Sequence, residues 1–151
     1  MAAWQVDFHV IPRRALAVTN PAGPRSWASH AFPSDYQKKL DAVASPESPS
    51  SPEVQTWGSP DTNKIDVWSE GGRVTAVTAR VDVRRLDSKF GAALLQFVRT
   101  ADAVLVRSDG LVVEPTIAAY AAALRSSEAW RFASDPASFL AGYSKDEDDD
   151  S

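Results

Sequence analysis

Apolar and polar residues alternate along residues 4–10 and again on both sides of Gly71-Gly72, the signature of strands with one buried face. In the first stretch Trp4, Val6, Phe8 and Val10 stand opposite Gln5, Asp7 and His9, and Pro12 helps to end the strand because it has no N–H for a ladder. Along residues 64–70, Ile65 and Val67 alternate with Lys64, Asp66 and Trp68. Beyond the glycines, Thr75, Val77, Ala79, Val81 and Val83 alternate with Val74, Ala76, Thr78, Arg80, Asp82 and Arg84. Gly71 and Gly72 suit the positive φ of a tight hairpin turn, so residues 64–84 are expected to form the central hairpin.

The period then changes. Phe90, Leu94, Phe97, Val98 and Ala101 follow helical spacing, and Asp87 or Ser88 can cap the helix they predict. Val104-Leu105-Val106 is a short apolar run, and Ser108-Asp109-Gly110 predicts a turn into a further strand over residues 111–113. Glu114-Pro115 opens a second helix, with Pro115 placed in its first turn and Ile117, Tyr120, Ala121 and Leu124 as its buried stripe. Ser126 or Ser127 caps a short turn carrying Trp130 and Phe132, and Asp135-Pro136 starts a last one with Phe139 and Leu140.

Residues 13–63 are different, because eight of the ten prolines fall between Pro12 and Pro60. Such density opposes regular helix or central strand, and only the spacing of Tyr36, Leu40 and Val43 predicts a short helix, capped by Ser34 or Asp35. Residues 44–62 read as a mobile loop, since SPESPSSPE offers little apolar area to offset its ordering entropy. Trp27, Phe32 and Trp57 lie in this irregular region and are expected to pin it onto the body. The expected architecture is α+β: an antiparallel sheet of about five strands, the main helices on one face, and the long Pro/Ser-rich loop over an edge or the open face.

Charge and composition narrow the function classes. The chain has 151 residues and a net charge of −4, and Lys145–Asp150 alone accounts for that charge. Residues 1–144 are thus a neutral body, expected to be a single domain, and residues 145–151 a disordered acidic tail. A neutral body lacks the basic stripe that phosphate binding draws on, so nucleic acid is not an expected partner. No cysteine is present, which removes thiolate chemistry and disulfides and suits a reducing compartment. No apolar run is long enough for a bilayer and no secretory signal is evident, so a cytoplasmic protein is expected.

If the apolar sides of the strands face the helices, the opposite side of the sheet displays Asp7, His9, Asp66, Trp68, Arg80 and Asp82. Carboxylates beside an imidazole could serve acid–base chemistry or hold a divalent metal, with Asp7, His9 and Asp82 as the groups. The competing reading is a solvated sheet face of cross-strand ion pairs, on which Trp68 among charges forms an anchor for a protein partner. His30 beside Ser29 lacks an acid at any telling spacing, Arg80, Arg84 and Arg85 form a small basic group, and Gly71-Gly72 joins strand to strand and so cannot cradle a phosphate. The expectation is a non-catalytic binding domain with no catalytic residue, metal or cofactor, engaging a protein partner or a second copy of itself. A small acid–base or metal-dependent enzyme and a purely structural, oligomer-forming subunit are the alternatives.

Trp57-Gly58, the central hairpin, Glu114-Pro115 and the closing Ser-x-x-x-Trp-Arg-Phe-x-x-Asp-Pro-x-x-Phe-Leu together resemble small uncharacterised bacterial α+β families over about residues 57–142. The resemblance implies a compact α+β domain of bacterial or phage type and no activity. In size and acidity the chain is also similar to bacterial immunity proteins, which would make it an immunity or accessory protein.

Overall fold

The computed structural model describes residues 4–17, 27, 32–47, 53–59, 62–84 and 86–134. They form an α+β fold around one open antiparallel sheet of six strands in the order β2-β3-β4-β1-β5-β6. The strands are β1 (Gln5–Pro12), β2 (Val54–Gly58), β3 (Lys64–Glu70), β4 (Arg73–Asp82), β5 (Ala103–Arg107) and β6 (Val112–Val113). The helices are α1 (Tyr36–Asp41), α2 (Ser88–Thr100), α3 (Ile117–Arg125) and α4 (Glu128–Ser134), with a 3-10 turn at Arg13–Ala17.

Register carries the alternation of each strand across the sheet. Val6 faces Val81 and Phe8 faces Ala79 on β4, Val10 faces Leu105 on β5, and Ile65 faces Ala79 across the β3–β4 hairpin. These residues share one core with Leu94, Leu95, Phe97 and Val98 of α2 and Leu124 of α3. The hairpin turns on Gly71 and Gly72, at φ 57° and 79°, as the sequence predicts. One irregularity breaks the alternation: Trp68 faces Ala76, but Ser69 faces Val74, so Thr75 is an extra residue on β4. The bulge turns Val74 into the main core, opposite to the side its position in an unbroken strand would give.

The proline-rich stretch holds a strand that the sequence pattern does not suggest. β2 pairs with β3 along its full length, and Trp57 on its inner side is fully buried. Residues 45–47 line its outer edge, where the Gly58 N–H donates to Ser45 O and the Glu47 N–H to Thr56 O. Helix α1 buries Leu40 in the same core, Tyr36 meets Trp57 edge-on at 6.3 Å, and the Trp57 indole N–H donates to Asp41 Oδ1 at 2.9 Å. This segment therefore packs on the helix side of the sheet, beside α2, where Phe32 lies edge-on to Phe97.

Helix α2 starts where the sequence expects, with the Asp87 carboxylate accepting from the Lys89 and Phe90 N–H groups. Helix α3 starts two residues later than a first helical position at Pro115 would give, since the Thr116 hydroxyl is the cap and accepts from the Ala119 N–H. Ile117, the first residue of the helix, is 72% exposed and not part of the buried stripe, while Ala123 and Leu124 are buried. Ser127 caps α4 through the Trp130 N–H, as expected. Trp4 stacks on Phe132 at 6.2 Å with the Arg84 guanidinium 3.6 Å from its ring centroid. The expected final turn with Phe139 and Leu140, the acidic tail, and the Ser29/His30 pair lie outside the described residues.

Beyond the His9–Thr78 pair, β1 parts from β4 and continues against β5 alone. Trp27 fills the opening: its backbone N–H donates to Thr75 O on β4 at 3.1 Å and its indole N–H to Val10 O on β1 at 2.7 Å. Past this fork the reverse face also turns apolar. Ile11, Val104 and Val106 form a second buried cluster with Ala15 of the 3-10 turn, so β5 is buried on both sides, in keeping with its unbroken apolar run.

Tyr120 packs on Phe8 at 6.2 Å and lies over Gly91, where an added Cβ would come within 3.2 Å of its ring. Burial, helped by the Asp87 charge, pushes its phenol pKa well above the ordinary 10.0. The unfolded chain then ionises before the folded one, so stability is complete below the ordinary value and falls as pH rises through it. Denaturant titrations at about pH 9 and about pH 11 should show wild type losing more stability over this interval than Tyr120→Phe, by up to roughly 1.4 kcal/mol per pH unit above the ordinary pKa. Equal losses would mean that the phenol ionises as readily folded as unfolded.

Candidate functional site

The reverse side of the sheet carries all the residues singled out from the sequence: Asp7 and His9 on β1, Asp66 and Trp68 on β3, and Arg80 and Asp82 on β4. Their side chains have different roles. Asp7 and Arg80 are direct cross-strand partners, and the Arg80 Nε–H donates to Asp7 Oδ1 at 2.9 Å. That hydrogen bond raises the Arg80 pKa above its ordinary value against the opposing effect of desolvation, and the Asp7 and Asp66 charges add to the rise.

Asp66 is buried, in an ion pair with Lys64 at 2.9 Å and accepting from the Thr56 hydroxyl across the β2–β3 pair. Asp82 is fully buried at the end of β4. Its carboxylate accepts from the Arg84 backbone N–H at 2.9 Å and pairs with the Arg84 guanidinium at 3.3 Å, while its own N–H donates to Asn63 Oδ1. Arg80 and Arg84 are thus both engaged by carboxylates, which takes two of the three arginines out of an anion site; the Arg85 side chain lies outside the described residues.

The carboxylates do not converge on His9. Asp82 faces Gln5, four residues back along β1, or about 13 Å at the rise of a strand. Asp66 faces Thr78, which in turn faces His9, so Asp66 stands two strands away, roughly 9–10 Å between Cα atoms. Asp7 lies on the same strand as His9 but is held by Arg80. Among the described residues no group of three or more His, Cys, Asp or Glu side chains could hold a metal ion, and no hydrogen bond or ion pair joins the His9 imidazole to another side chain.

What His9 does meet is a concavity. His9, Trp68, Ala76 and Thr78 line a hollow of about 390 Å³, with Glu53 and Glu70 also on its lining. Its position follows from the backbone: it sits where β1 leaves β4 and where the Thr75 bulge breaks the alternation. Ala76, directly across from Trp68, is too small to cover the indole, which is 42% exposed. Glu53, Ser69, Glu70 and Thr75 are lining residues that sequence reasoning missed. Glu53 precedes an unrecognised strand, and the bulge that redirects Thr75 depends on pairing with β3, so neither leaves a local signal.

Burial separates structural from exposed members of this face. Asp82→Ala should destabilise the protein by roughly 1–3 kcal/mol in denaturant titrations, because the Arg84 N–H loses its acceptor at a buried position. Trp68→Ala and His9→Ala should each stay within about 1 kcal/mol of wild type, as expected for side chains without buried partners. A ranking with Trp68→Ala as the most damaging would make the indole part of the core rather than of a surface. Comparisons with protein-family models, with curated proteins and with solved structures find no match for the chain.

Proposed function

We propose that the protein is a non-catalytic protein-binding domain that engages its partner through the reverse face of the sheet, with Trp68 as the anchor. The observation that carries this reading is the exposed indole of Trp68 beside the concavity it shares with His9, on a face whose charges are otherwise engaged in pairs within the chain. Tryptophan is among the residues enriched at the energetic anchors of protein interfaces, and a rim of charges supplies orientation more than affinity. The acid–base alternative is less well supported, since it needs a carboxylate joined to His9: Asp7 and Asp66 are bound to Arg80 and Lys64, and among the described residues neither Glu53 nor Glu70 is hydrogen-bonded to the imidazole. A cytoplasmic setting in a bacterium, in an immunity or accessory role, is the finer form of the proposal. The cysteine-free composition supports its reducing compartment and the family resemblance its bacterial origin.

The test must avoid Asp66, because reversing a buried charge held by Lys64 and Thr56 would damage the fold along with the surface. Immobilised wild type should retain a protein from lysate of its own cells, and Trp68→Ala should lose it, with affinity falling by roughly 30-fold for an anchor worth about 2 kcal/mol. Ile117→Ala, exposed at the start of α3, is the control that should retain the partner. Equal retention by Trp68→Ala would overturn the proposal. A light-scattering mass that halves in Trp68→Ala would instead identify a second copy of the chain as the partner.

A further inference from the structure

We infer that the concavity receives a cationic side chain, arginine or lysine, presented by the protein partner; this rests on the binding reading above and names the chemistry of what is bound. Three observations point the same way. The indole of Trp68 is the large exposed aromatic surface of the hollow, and tryptophan offers the most favourable ring face for a cation. The chain already uses this pairing past the other end of β4, where the Arg84 guanidinium sits 3.6 Å from the centroid of Trp4.

Among its described lining residues the formal charges have one sign. Glu53 and Glu70 contribute carboxylates, Thr78 contributes a hydroxyl, and none of the described lining residues is a lysine or arginine. Both glutamates make further interactions within the chain, and what they bring to the rim is the sign of their charge. At about 390 Å³ the hollow is at the small end of ligand sites, whose usual range is roughly 300–1,000 Å³, and it suits one long side chain better than a bulky ligand. Such a site selects against an anionic residue by repulsion as well as selecting for a cation, which is how a single hollow obtains specificity.

The experiment is a titration of the isotope-labelled full chain, followed by the Trp68 indole N–H resonance, which is assigned by its loss in Trp68→Phe. The probes are N-acetyl-argininamide and N-acetyl-lysinamide, with the neutral citrulline and norleucine amides as their uncharged counterparts. The charged probes should shift the Trp68 resonance saturably, with the neutral ones at least roughly tenfold weaker, a difference typical of losing a charged contact. Glu53→Gln with Glu70→Gln, at two exposed positions, should weaken the charged probes several-fold while the remaining resonances report an unchanged fold. Equal binding of neutral and charged probes would overturn the cation assignment and leave an apolar pocket. No shift with any probe, while Trp68→Ala still releases the partner, would sink this inference and leave the binding function standing. No shift together with full retention by Trp68→Ala would remove both.

Discussion

A side chain on a strand has two sides to choose from, and the register of β1 against β4 and β5 makes that choice for the centre of the sheet. With Val6 on Val81, Phe8 on Ala79 and Val10 on Leu105, the apolar residues of three strands meet α2 and α3. A slip of one residue would drive Asp7 and His9 into that core and turn Phe8 and Val10 to the reverse face. Burying an unpaired carboxylate costs several kcal/mol, and exposing Phe8 forfeits about as much again, so the register has no close competitor. The Asp7–Arg80 pair belongs to the same choice, because only this register sets the two side by side.

The concavity is a by-product of where that register stops. After the His9–Thr78 pair, β1 needs β5 and the 3-10 turn to bury Ile11, while β4 follows β3 into the hairpin, so the two strands diverge. A fork in a sheet leaves backbone groups without ladder partners, and Trp27 satisfies one on each branch. Its ring is buried on the helix side, against Phe32 at 4.8 Å. Among the described residues nothing as large fills the fork on the reverse side, and the Thr75 bulge adds to the unevenness there. Core packing on one side and a hollow on the other are therefore two consequences of one divergence.

What could be read from the sequence was whatever depends on neighbours along the chain. The hairpin at Gly71-Gly72, the Asp87 cap and the α2 stripe each need only local spacing, and the α+β class follows from them. β2 escaped because its five residues are flanked by prolines and its alternation rests on a single large residue, Trp57; only pairing with β3 makes it a strand. Ile117 fits the helical spacing of the stripe, but it is the first residue of α3, and the buried positions lie further along the helix at Ala123 and Leu124. For the reverse face, alternation placed Asp7, His9, Asp66, Trp68, Arg80 and Asp82 together. Alternation alone cannot say that Asp82 is buried to zero exposure, since that follows from what the chain does at Asn63 and Arg84.

The distribution of partners on that face bears on what it can do. Cross-strand ion pairs such as Asp7–Arg80 and the Lys64–Asp66 pair hold each charge near its opposite, which keeps the face soluble but leaves little unbalanced charge for chemistry. A catalytic surface needs the reverse arrangement, with one titratable group set against its neighbours so that its proton is displaced at working pH. Trp68 fits neither scheme: its β4 neighbour is Ala76 and its β2 neighbour Val54, so neither cross-strand neighbour is charged or large. An indole kept in water costs apolar hydration that a polar residue at the same position would avoid, and nothing in the packing of the sheet requires it there. Among the described residues no large side chain faces this indole across the sheet, and that exposure is the observation on which the binding proposal rests.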